Sequence, residues 1–461
     1  MNWHAVATAM LPEHLLLAGI VVLLAVEIAS VKSRAALALS LLFVAAAAVA
    51  AALLAFAGAD IDLFPGHFSV RPAASLAKAI VLALAVILLL MSRDDFERGE
   101  YYPLLLSSLY GVCLLLSADS FPTLFLGIEL MSLPVYVLVL LAFRRPESAE
   151  AALKYLVLGG AASATFVMGV SLLYGESGSM AISTFSGALG APGALATVAV
   201  VLIVVSFFIK GAIVPFHTWA PDAYEGASVP VTAYMATIIK AGVLLAVARL
   251  FGTVPVLRPM ADLLAILPLI SIIWGNLAAM RQQSFRRMIA YSSIAHAGYL
   301  FYAFLGDGPG RFQAVVFYLL AYGLMNLLAL ASLPRHEDDA VRDRMDNLTG
   351  LYHRDPYAAL MIAIAMFSLA GIPPLPGFIA KFLIFANVMA AGYTTYAVLG
   401  LVGSYLGIYF YLRVVQLMFM SAPTPVTITH ASRRLARSAS LICLVAATLV
   451  AVFPGWVIGL L

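Results

Sequence analysis

Residues 206–230 read SFFIKGAIVPFHTWAPDAYEGASVP and lie between two long apolar runs. Within eight residues this stretch contains Lys210, Gly211, Pro215 and His217. Proline lacks a backbone N–H group and interrupts the hydrogen bonds of an α-helix. The surrounding segment, about 34 residues long, would extend roughly 50 Å as one straight helix, whereas the hydrocarbon core of a membrane is about 30 Å thick. The stretch therefore predicts a broken helix with Lys210 near the break.

The composition of the whole chain indicates a membrane protein. Of its 461 residues, 63% are hydrophobic and 11% are charged, and the mean hydropathy is +1.02. These values lie outside the range of soluble domains. Most loops are too short to fold alone, so the sequence predicts one all-α polytopic membrane domain covering residues 1–461. About fourteen apolar runs are long enough to be membrane spans; they lie near residues 12–30, 35–57, 73–92, 102–118, 121–143, 149–174, 192–225, 228–251, 259–280, 286–305, 311–333, 356–390, 394–420 and 436–457.

The positive charges predict how the chain is oriented, because loops rich in lysine and arginine face the cytoplasm. The odd-numbered loops contain Lys32, Arg34, Arg93, Arg98, Arg144, Arg145, Arg281, Arg286, Arg287, Arg335, Arg342, Arg344, Arg354, Arg433, Arg434 and Arg437, and the even-numbered loops contain little beyond Arg71, Arg258 and Arg311. An even number of spans then places both termini on the outer, periplasmic side. The first span lacks the features of a cleaved secretory signal and is expected to be retained.

Four lysines lie inside apolar segments, which is an unusual position for this residue type. They are Lys154, Lys210, Lys240 and Lys381. An arginine guanidinium stays protonated in proteins, whereas a desolvated lysine ammonium can lose its proton. Glu129, in the fifth predicted span, is the natural counter-charge. Ionisable residues inside a membrane typically mark an ion or proton path. The alternative, a static buried ion pair, would leave the other lysines unexplained.

The arrangement around Lys210 occurs a second time. Residues 368–385 read SLAGIPPLPGFIAKFLIF and place three prolines and two glycines just before Lys381. Two overlong, interrupted segments at corresponding positions are typical of transporters built from inverted repeats. The sequence predicts two five-helix repeats, spans 4–8 and spans 9–13, with spans 7 and 12 broken. The sequence thus predicts four parts: a three-helix segment at 1–100, the repeats at 101–251 and 257–421, and a C-terminal helix at 430–461.

Other ionisable residues within or near the spans carry weaker predictions. His296, in MIAYSSIAHAGYLF, could exchange a proton near neutral pH and link the two halves, although a single helical histidine is more often a packing residue. Lys78 and Glu27 lie near span ends, so their side chains are expected to extend to the membrane surface. Arg413 is expected to be an anchor held by neighbouring tyrosines.

The sequence argues against a cofactor or metal site in this chain. Its two cysteines, Cys113 and Cys443, stand alone in apolar runs and cannot form a disulfide framework, an iron–sulfur motif or a structural zinc site. No glycine-rich dinucleotide fingerprint follows a predicted strand. The net charge of +3 follows the membrane pattern and gives no indication of a nucleic-acid partner.

Four blocks of the chain resemble the N-subunit family of bacterial NADH-quinone oxidoreductase, respiratory complex I. They are GIELMSLPVYVLVLLAFRRPESAEAALKYLVLGGAASA (127–164), KGAIVPFHTWAPDAYEGASVPVTAYMATIIKAG (210–242), NLAAMRQQSFRRMIAYSSIAHAGYL (276–300) and SLAGIPPLPGFIAKFLIF (368–385). The resemblance extends from about residue 100 to 420. Among the antiporter-like paralogues of this complex, the block PDAYEGASVPVTA is similar to the N type.

The resemblance implies proton translocation, with a role for each site residue. Glu129 and Lys210 would form the coupled pair of the first half-channel, and Lys154 would modulate that pair. Lys240 would lie on a central axis that continues through the region of His296 to Lys381 on the exit side. His217 matches the histidine that follows the broken helix in this family.

The same resemblance implies partners and a location. NADH oxidation and quinone reduction, with FMN and iron–sulfur clusters, would take place on other subunits, and this chain would contact the neighbouring membrane-arm subunits and lipid in the bacterial inner membrane. A subunit of a multisubunit sodium/proton antiporter is the alternative, and co-purification with flavin and iron–sulfur proteins would distinguish the two. A non-transporting scaffold is a third possibility, and it predicts that the four lysines tolerate replacement by leucine.

Overall fold

The structure is a computed structural model that describes residues 3–29, 33–93, 95–96, 99–142, 146–190, 193–256, 260–306, 308–334, 343–422 and 434–461. Eleven of the nineteen positive charges on which the orientation depends lie within this described part of the chain. The others lie outside the described residues: Lys32, Arg98, Arg144, Arg145, Arg258, Arg335, Arg342 and Arg433. The orientation of both termini stays a prediction.

The first part of the chain consists of helices and one short hairpin. Its elements are α1 (Trp3–Ala9), α2 (Leu11–Ile28), α3 (Ser33–Phe56), β1 (Ile61–Phe64), β2 (Phe68–Val70), α4 (Pro72–Ser92), α5 (Tyr101–Leu116), α6 (Phe121–Leu140), α7 (Pro146–Ser177), α8 (Ser183–Gly190) and α9 (Ala194–Gly211). The two strands pair antiparallel.

The remaining elements are also helical. They are α10 (Trp219–Gly226), α11 (Val229–Tyr234), a π-helical turn (Met235–Ile239), α12 (Lys240–Phe251), α13 (Met260–Ala279), α14 (Phe285–Tyr302) with a 3₁₀ turn (Ala303–Leu305), α15 (Gly308–Ala331), α16 (Met345–Leu348), α17 (Leu351–Arg354), α18 (Pro356–Ala370), α19 (Pro376–Ala390), α20 (Thr394–Met420), α21 (Arg434–Val452) and α22 (Pro454–Leu460).

Among the described residues, twelve helical segments are long and apolar enough to cross a membrane. Three further apolar helices, α5, α18 and α19, are shorter. The prediction of an all-α, multi-pass membrane protein is therefore confirmed. The number of about fourteen crossings stays a prediction, because length and composition alone identify twelve.

The segment that contains the opening stretch is broken, as its length predicts. Helix α9 ends at Gly211 and α10 begins at Trp219. Within the break, Ala212 has a φ of 60°, which places its backbone in the left-handed region that few residues other than glycine adopt. Lys210 therefore lies at the end of a helix, one residue before the chain leaves helical geometry.

The second overlong segment is broken in the same way. Helix α18 ends at Ala370, and α19 begins at Pro376. Gly371 follows α18 with a φ of 86° and ends it in a left-handed conformation that glycine adopts without steric cost. Each of the two breaks also contains one cis peptide bond, which precedes Pro215 in the first and Pro374 in the second.

Glycines allow α5 and α6 to pack with their backbones in close approach. A Cβ atom added to Gly111 would lie 2.3 Å from the backbone N of Met131, and one added to Gly127 would lie 2.8 Å from the backbone N of Leu115. Small residues at helix interfaces are common in membrane bundles for this reason. The close packing fixes the position of α6, on which Glu129 lies.

The hairpin of β1 and β2 packs against the end of α5. Phe68 and Val70 of β2 are buried together with Ala9 of α1 and Leu114 of α5. The backbone N–H of Ser69 donates a hydrogen bond to Ser117 O at 3.0 Å. The hairpin therefore covers the loop that joins α5 to α6.

The chain forms two compact units. The first consists of residues 1–211 and 238–260 with residue 461, and the second consists of residues 212–237 and 261–460. The chain passes from one unit to the other at residues 211–212, within the segment Val229–Phe251, and at residues 260–261. The repeat boundaries that the sequence suggests, 101–251 and 257–421, stay predictions.

Candidate functional site

The first unit brings Glu129 and Lys210 together. Glu129 lies on α6 and Lys210 is the penultimate residue of α9, and Lys210 Nζ lies 3.6 Å from Glu129 Oε1. The lysine side chain is 7% exposed and the carboxylate is 21% exposed. Ser163 of α7 also donates a hydrogen bond to Glu129 Oε1. Three helices thus converge on one ion pair in an apolar setting, where a change of charge on one partner changes the proton affinity of the other.

The position of Lys154 differs from the expectation of a buried lysine. Its side chain is 44% exposed on α7, and its Nζ lies 2.7 Å from Glu150 Oε1, one helical turn away. The interpretation of Lys154 as buried is therefore wrong for the chain considered by itself. The error arises because an apolar segment does not reveal which face of a helix a residue occupies.

Lys240 is buried in the first unit at the start of α12. It directly follows the π-helical turn Met235–Ile239. π-helical turns inside α-helices occur frequently at functional sites, because they shift the register of the side chains that follow. The burial of Lys240 agrees with the prediction that this lysine lies inside the protein.

The prediction that the Lys78 side chain extends to the membrane surface is also wrong. The side chain does not extend to the membrane surface: it is 2% exposed, and its Nζ lies 2.5 Å from Oε1 of Glu13, whose side chain is fully buried. Lys78 also donates to Ser117 Oγ at 2.6 Å. Proximity to a span end predicted solvent access, but three helices and the hairpin enclose this position. The first unit therefore contains a second buried carboxylate–lysine pair.

The second unit contains His217 near the start of α10. The indole Nε1 of Trp274 on α13 donates a hydrogen bond to His217 Nε2 at 3.1 Å. The rings meet edge to face, with centroids 6.4 Å apart. This imidazole is partly exposed, and its Nε2 has to be unprotonated to accept the hydrogen bond from tryptophan.

Lys381 binds the end of the helix that precedes the second break. Its Nζ donates to Leu369 O and Ala370 O, both at 3.1 Å, and to Ser404 Oγ at 3.0 Å. The last carbonyl groups of a helix have no partner within the helix and carry a partial negative charge. The break thus supplies acceptors for the buried ammonium group, whose side chain is almost fully enclosed.

His296 lies at the centre of a buried hydroxyl network. Its Nδ1 is 2.8 Å from the hydroxyl of Tyr318 on α15, and its Nε2 is 3.1 Å from the hydroxyl of Tyr411 on α20. The Tyr411 hydroxyl also lies 2.5 Å from Ser292 Oγ. Both ring nitrogens therefore have hydroxyl partners that can donate or accept, so this histidine can gain or lose a proton through either one.

Tyr299 lies between His296 and Lys381. Lys381 Nζ is 5.1 Å from the centre of the Tyr299 ring, and the His296 and Tyr299 rings have centroids 5.5 Å apart. The Tyr299 hydroxyl accepts a hydrogen bond from Asn276 Nδ2 at 3.2 Å. The second unit thus assembles its histidine and its lysine around one aromatic ring.

Two arginines at the start of α14 are tied to acidic side chains. Arg287 Nη1 lies 2.8 Å from Asp222 and 2.9 Å from Glu225, both on α10. Arg286 is almost fully buried and binds Asp343 through Nε and Nη2, each at 3.0 Å. These ion pairs join α10, α14 and the segment before α16.

Arg413 of α20 donates to the carbonyl of Met280 at 2.7 Å. Its observed partner is therefore the backbone at the end of α13, whereas the sequence suggested tyrosines. Across the described part of the chain, no group of three or more histidine, cysteine, aspartate or glutamate side chains is arranged to hold a metal ion.

Several members of these sites carry no recognisable signal in the sequence. Ser163, Ser404, Tyr318 and Tyr411 are common helix residues, and only the packing of distant helices brings them to the charged groups. Glu13 is different, since a carboxylate at the start of an apolar run is itself unusual. That signal could have directed attention to an acidic partner for Lys78.

A family described as NADH:quinone oxidoreductase/Mrp antiporter, TM, matches residues 118–407. Among curated proteins, the chain is 39% identical over 415 residues to NADH-quinone oxidoreductase subunit N of Pelobacter propionicus, covering 89% of each chain. It is 40% identical over 387 residues to NADH-quinone oxidoreductase subunit N of Chloroflexus aggregans, covering 79% of this chain and 78% of the relative.

Two solved structures share the fold. A chain of respiratory complex I from Thermus thermophilus with bound aureothin superposes with a TM-score of 0.85 and 34% identity, covering 97% of this chain and 98% of that one. A chain of the Mrp complex from Dietzia sp. superposes with a TM-score of 0.86 over 100% of this chain and 96% of that one. Its 21% identity shows likeness of fold alone.

Proposed function

Because this chain belongs to the subunit N family of NADH-quinone oxidoreductase, we propose that it moves protons across the membrane as a membrane-arm subunit of that enzyme. The observation that carries this proposal is the ion pair of Glu129 and Lys210 beside the first helix break. The second break, with its enclosed Lys381, supports it. A charge inside a membrane costs about 2.5–3.5 kcal/mol, so such groups are unusual without a function.

The redox chemistry takes place on other subunits in this proposal. NADH oxidation and quinone reduction, together with FMN and iron–sulfur clusters, belong to partner chains. This chain responds to them through neighbouring membrane-arm subunits and changes the proton affinity of its own buried groups.

In the first unit, the pair of Glu129 and Lys210 stores a proton. While the Glu129 carboxylate is ionised, it stabilises the ammonium form of Lys210. When the carboxylate is neutralised or moves away, burial favours the uncharged amine, and Lys210 releases its proton. Ser163 holds Glu129 Oε1 by a hydrogen bond and so keeps the carboxylate in position.

In the second unit, Lys381 is the exit-side group. The carbonyls of Leu369 and Ala370 stabilise its ammonium form, and Ser404 can accept and pass on a proton. His296 exchanges protons with Tyr318 and Tyr411 on either side. Movement of either helix end at the second break would remove the acceptors and promote release from Lys381.

The remaining site residues have subsidiary roles in the proposal. Lys240 is a buried intermediate on α12, and His217 accepts protons in the partly exposed break after α9. Lys154 modulates the Glu129–Lys210 pair through its charge. In this proposal the protein lies in the bacterial inner membrane with both termini on the periplasmic side.

A sodium/proton antiporter subunit would use the same fold without a redox partner. The likeness to the Mrp complex is confined to fold, whereas curated relatives at 39–40% identity carry the oxidoreductase name. The antiporter alternative is therefore not favoured. Co-purification with flavin and iron–sulfur proteins separates the two functions directly.

The proposal is tested in membrane vesicles that contain the assembled enzyme. Glu129→Ala and Lys210→Ala are expected to leave assembly intact and to lower NADH-driven proton pumping, because each removes one half of the storage pair. Glu176→Ala changes an exposed carboxylate near the end of α7 in the same unit and serves as the matched control. Normal pumping by either the Glu129 or the Lys210 variant would overturn the proposal.

A further inference from the structure

The second buried carboxylate–lysine pair of the first unit has no role in the proposed path. Glu13 lies in the first turn of α2, Lys78 in the second turn of α4, and Ser117 directly follows α5. Lys78 Nζ lies 2.5 Å from Glu13 Oε1 and 2.6 Å from Ser117 Oγ. The helices thus place the Lys78 amine in contact with one acid and one hydroxyl.

The pair lies close to one end of the helices that hold it. At 1.5 Å per residue, Glu13 and Lys78 lie within about 10 Å of the first residues of α2 and α4. The ring of Phe68 covers the ammonium at 5.3 Å, and the Ser69 N–H binds Ser117 O. The hairpin therefore lies between the pair and the solvent.

Polar side chains continue from the pair towards the surface. Arg249 of α12 donates to Ser69 Oγ at 2.9 Å and to Asp119 Oδ1 at 2.5 Å. The Asp119 side chain is 24% exposed, and the nearby His67 is exposed. Arg249 lies nine residues after Lys240 on the same helix, a separation of about 14 Å. Arg249 thus joins α12 to the hairpin and to the residues that follow α5.

The pair has features that a purely structural ion pair does not require. Loss of hydration offsets much of the attraction in a buried pair, so burial alone is weak evidence for a stabilising role. Among the described residues, the buried Glu13 Oε2 accepts no hydrogen bond, which leaves one carboxylate oxygen available for a proton.

We propose that Glu13, Lys78 and Ser117 form a second proton-exchange site, through which protons pass between the interior of the first unit and the end covered by the hairpin. The inference rests on the proposed function, since it assumes that the chain moves protons. It adds a site that is separate from Glu129 and Lys210.

Each cycle of the site takes up one proton and releases one proton. In the resting state Glu13 is ionised and Lys78 is protonated. A proton that binds Glu13 Oε2 removes the negative charge beside the ammonium, and Lys78 then transfers one proton to Ser117 Oγ while the hydroxyl releases its own hydrogen towards the end covered by the hairpin. Transfer of the Glu13 proton to the neutral amine restores the ion pair, so one proton enters and one leaves.

Two variants of the assembled enzyme test the site. Lys78→Arg keeps the positive charge and the ion pair, but its guanidinium cannot release a proton. The double variant Glu13→Gln/Lys78→Met removes both charges and imitates the neutral pair through which transfer must pass. The control Arg71→Gln/Asp62→Asn removes an exposed ion pair beside the same hairpin.

The proposal predicts that both test variants assemble, oxidise NADH and lose protons pumped per NADH oxidised, whereas the control pumps normally. Unchanged pumping by Lys78→Arg or by the double variant would show that the pair is only structural. Failure of both variants to assemble would contradict the proposal equally, because a proton-exchange site has to tolerate its neutral state.

The same measurements on Lys210→Ala separate this inference from the proposed function. If Lys210→Ala loses pumping while the Glu13 and Lys78 variants keep it, only the second site is wrong. If Lys210→Ala also pumps normally, the proposed function itself fails.

Discussion

The position of the Lys381 ammonium depends on the backbone of Gly371, the residue that directly follows α18. Gly371 has a φ of 86°, and a Cβ atom at this position would lie 3.2 Å from Lys381 Cδ and 3.3 Å from Nζ. The missing side chain therefore gives the lysine room to reach Leu369 O and Ala370 O. The same glycine allows the left-handed turn that exposes those carbonyls.

A comparison of the single variants Gly371→Ala and Gly392→Ala should separate the effect of backbone strain from the effect of displacing Lys381. Gly392 has a φ of 89°, but a Cβ atom there would meet nothing within 4 Å. Both variants should lose about 1–2 kcal/mol of stability from backbone strain. Only Gly371→Ala is expected to lower proton pumping per NADH, because only it displaces Lys381. Equal pumping by the two variants would contradict this role of the glycine.

At the residue scale, the sequence identifies charges more reliably than it identifies their partners. Lys210, Lys240 and Lys381 stand out because they interrupt apolar segments, and all three are buried. Lys154 stands out for the same reason but is exposed, since helical facing depends on packing. The prediction for Lys78 is wrong because its partner lies 65 residues away in the sequence.

At the scale of elements, an ion pair fixes the start of α14 to the segment before α16. Asp343 Oδ2 accepts from the Arg286 backbone N at 2.9 Å and from Ser284 Oγ at 2.9 Å, in addition to the guanidinium. Burial by itself raises the pKa of the Asp343 carboxyl, but the Arg286 charge and these hydrogen bonds outweigh burial and hold the pKa below its ordinary value.

Asp343→Asn is expected to destabilise the second unit by about 3–5 kcal/mol at neutral pH, because it leaves the Arg286 charge buried without its carboxylate. A carboxyl with a lowered pKa in the folded state contributes stability above the unfolded-state pKa of about 3.9, and this contribution is lost as pH falls towards the folded-state pKa. The difference between parent and variant in thermal unfolding should therefore shrink below about pH 4.

Asp346→Asn provides the matched control, since Asp346 forms an exposed ion pair with Arg344 in the same segment. Its effect should be within about 1 kcal/mol, as for other surface ion pairs. A pH-independent difference for Asp343→Asn, or equal losses in the two variants, would contradict the account of this contact.

The breaks are the elements that sequence reasoning predicts best. Segments 192–225 and 356–390 are too long for one straight crossing, and proline and glycine occur together inside each. The structure divides both segments at those residues. The hairpin of β1 and β2 was not predicted, because its seven strand residues lie in a loop and carry only a short alternating pattern.

At the scale of the whole molecule, the composition determines the class of fold and the charged interior determines what the fold can do. Moving one charge against the membrane potential requires about 2.3 kcal/mol per 100 mV. In the proposed function this energy comes from partner subunits, and the buried ion pairs transmit it.

The central claim is that the buried lysines release protons and do not serve only as fixed positive charges. The most direct test is the number of protons pumped per NADH oxidised by the assembled enzyme carrying Lys210→Arg, reconstituted in sealed vesicles. Arginine keeps the charge beside Glu129 but cannot release a proton. With Arg344→Lys as the exposed control, fewer protons per NADH are expected for Lys210→Arg alone. An unchanged ratio in that variant would contradict the central claim.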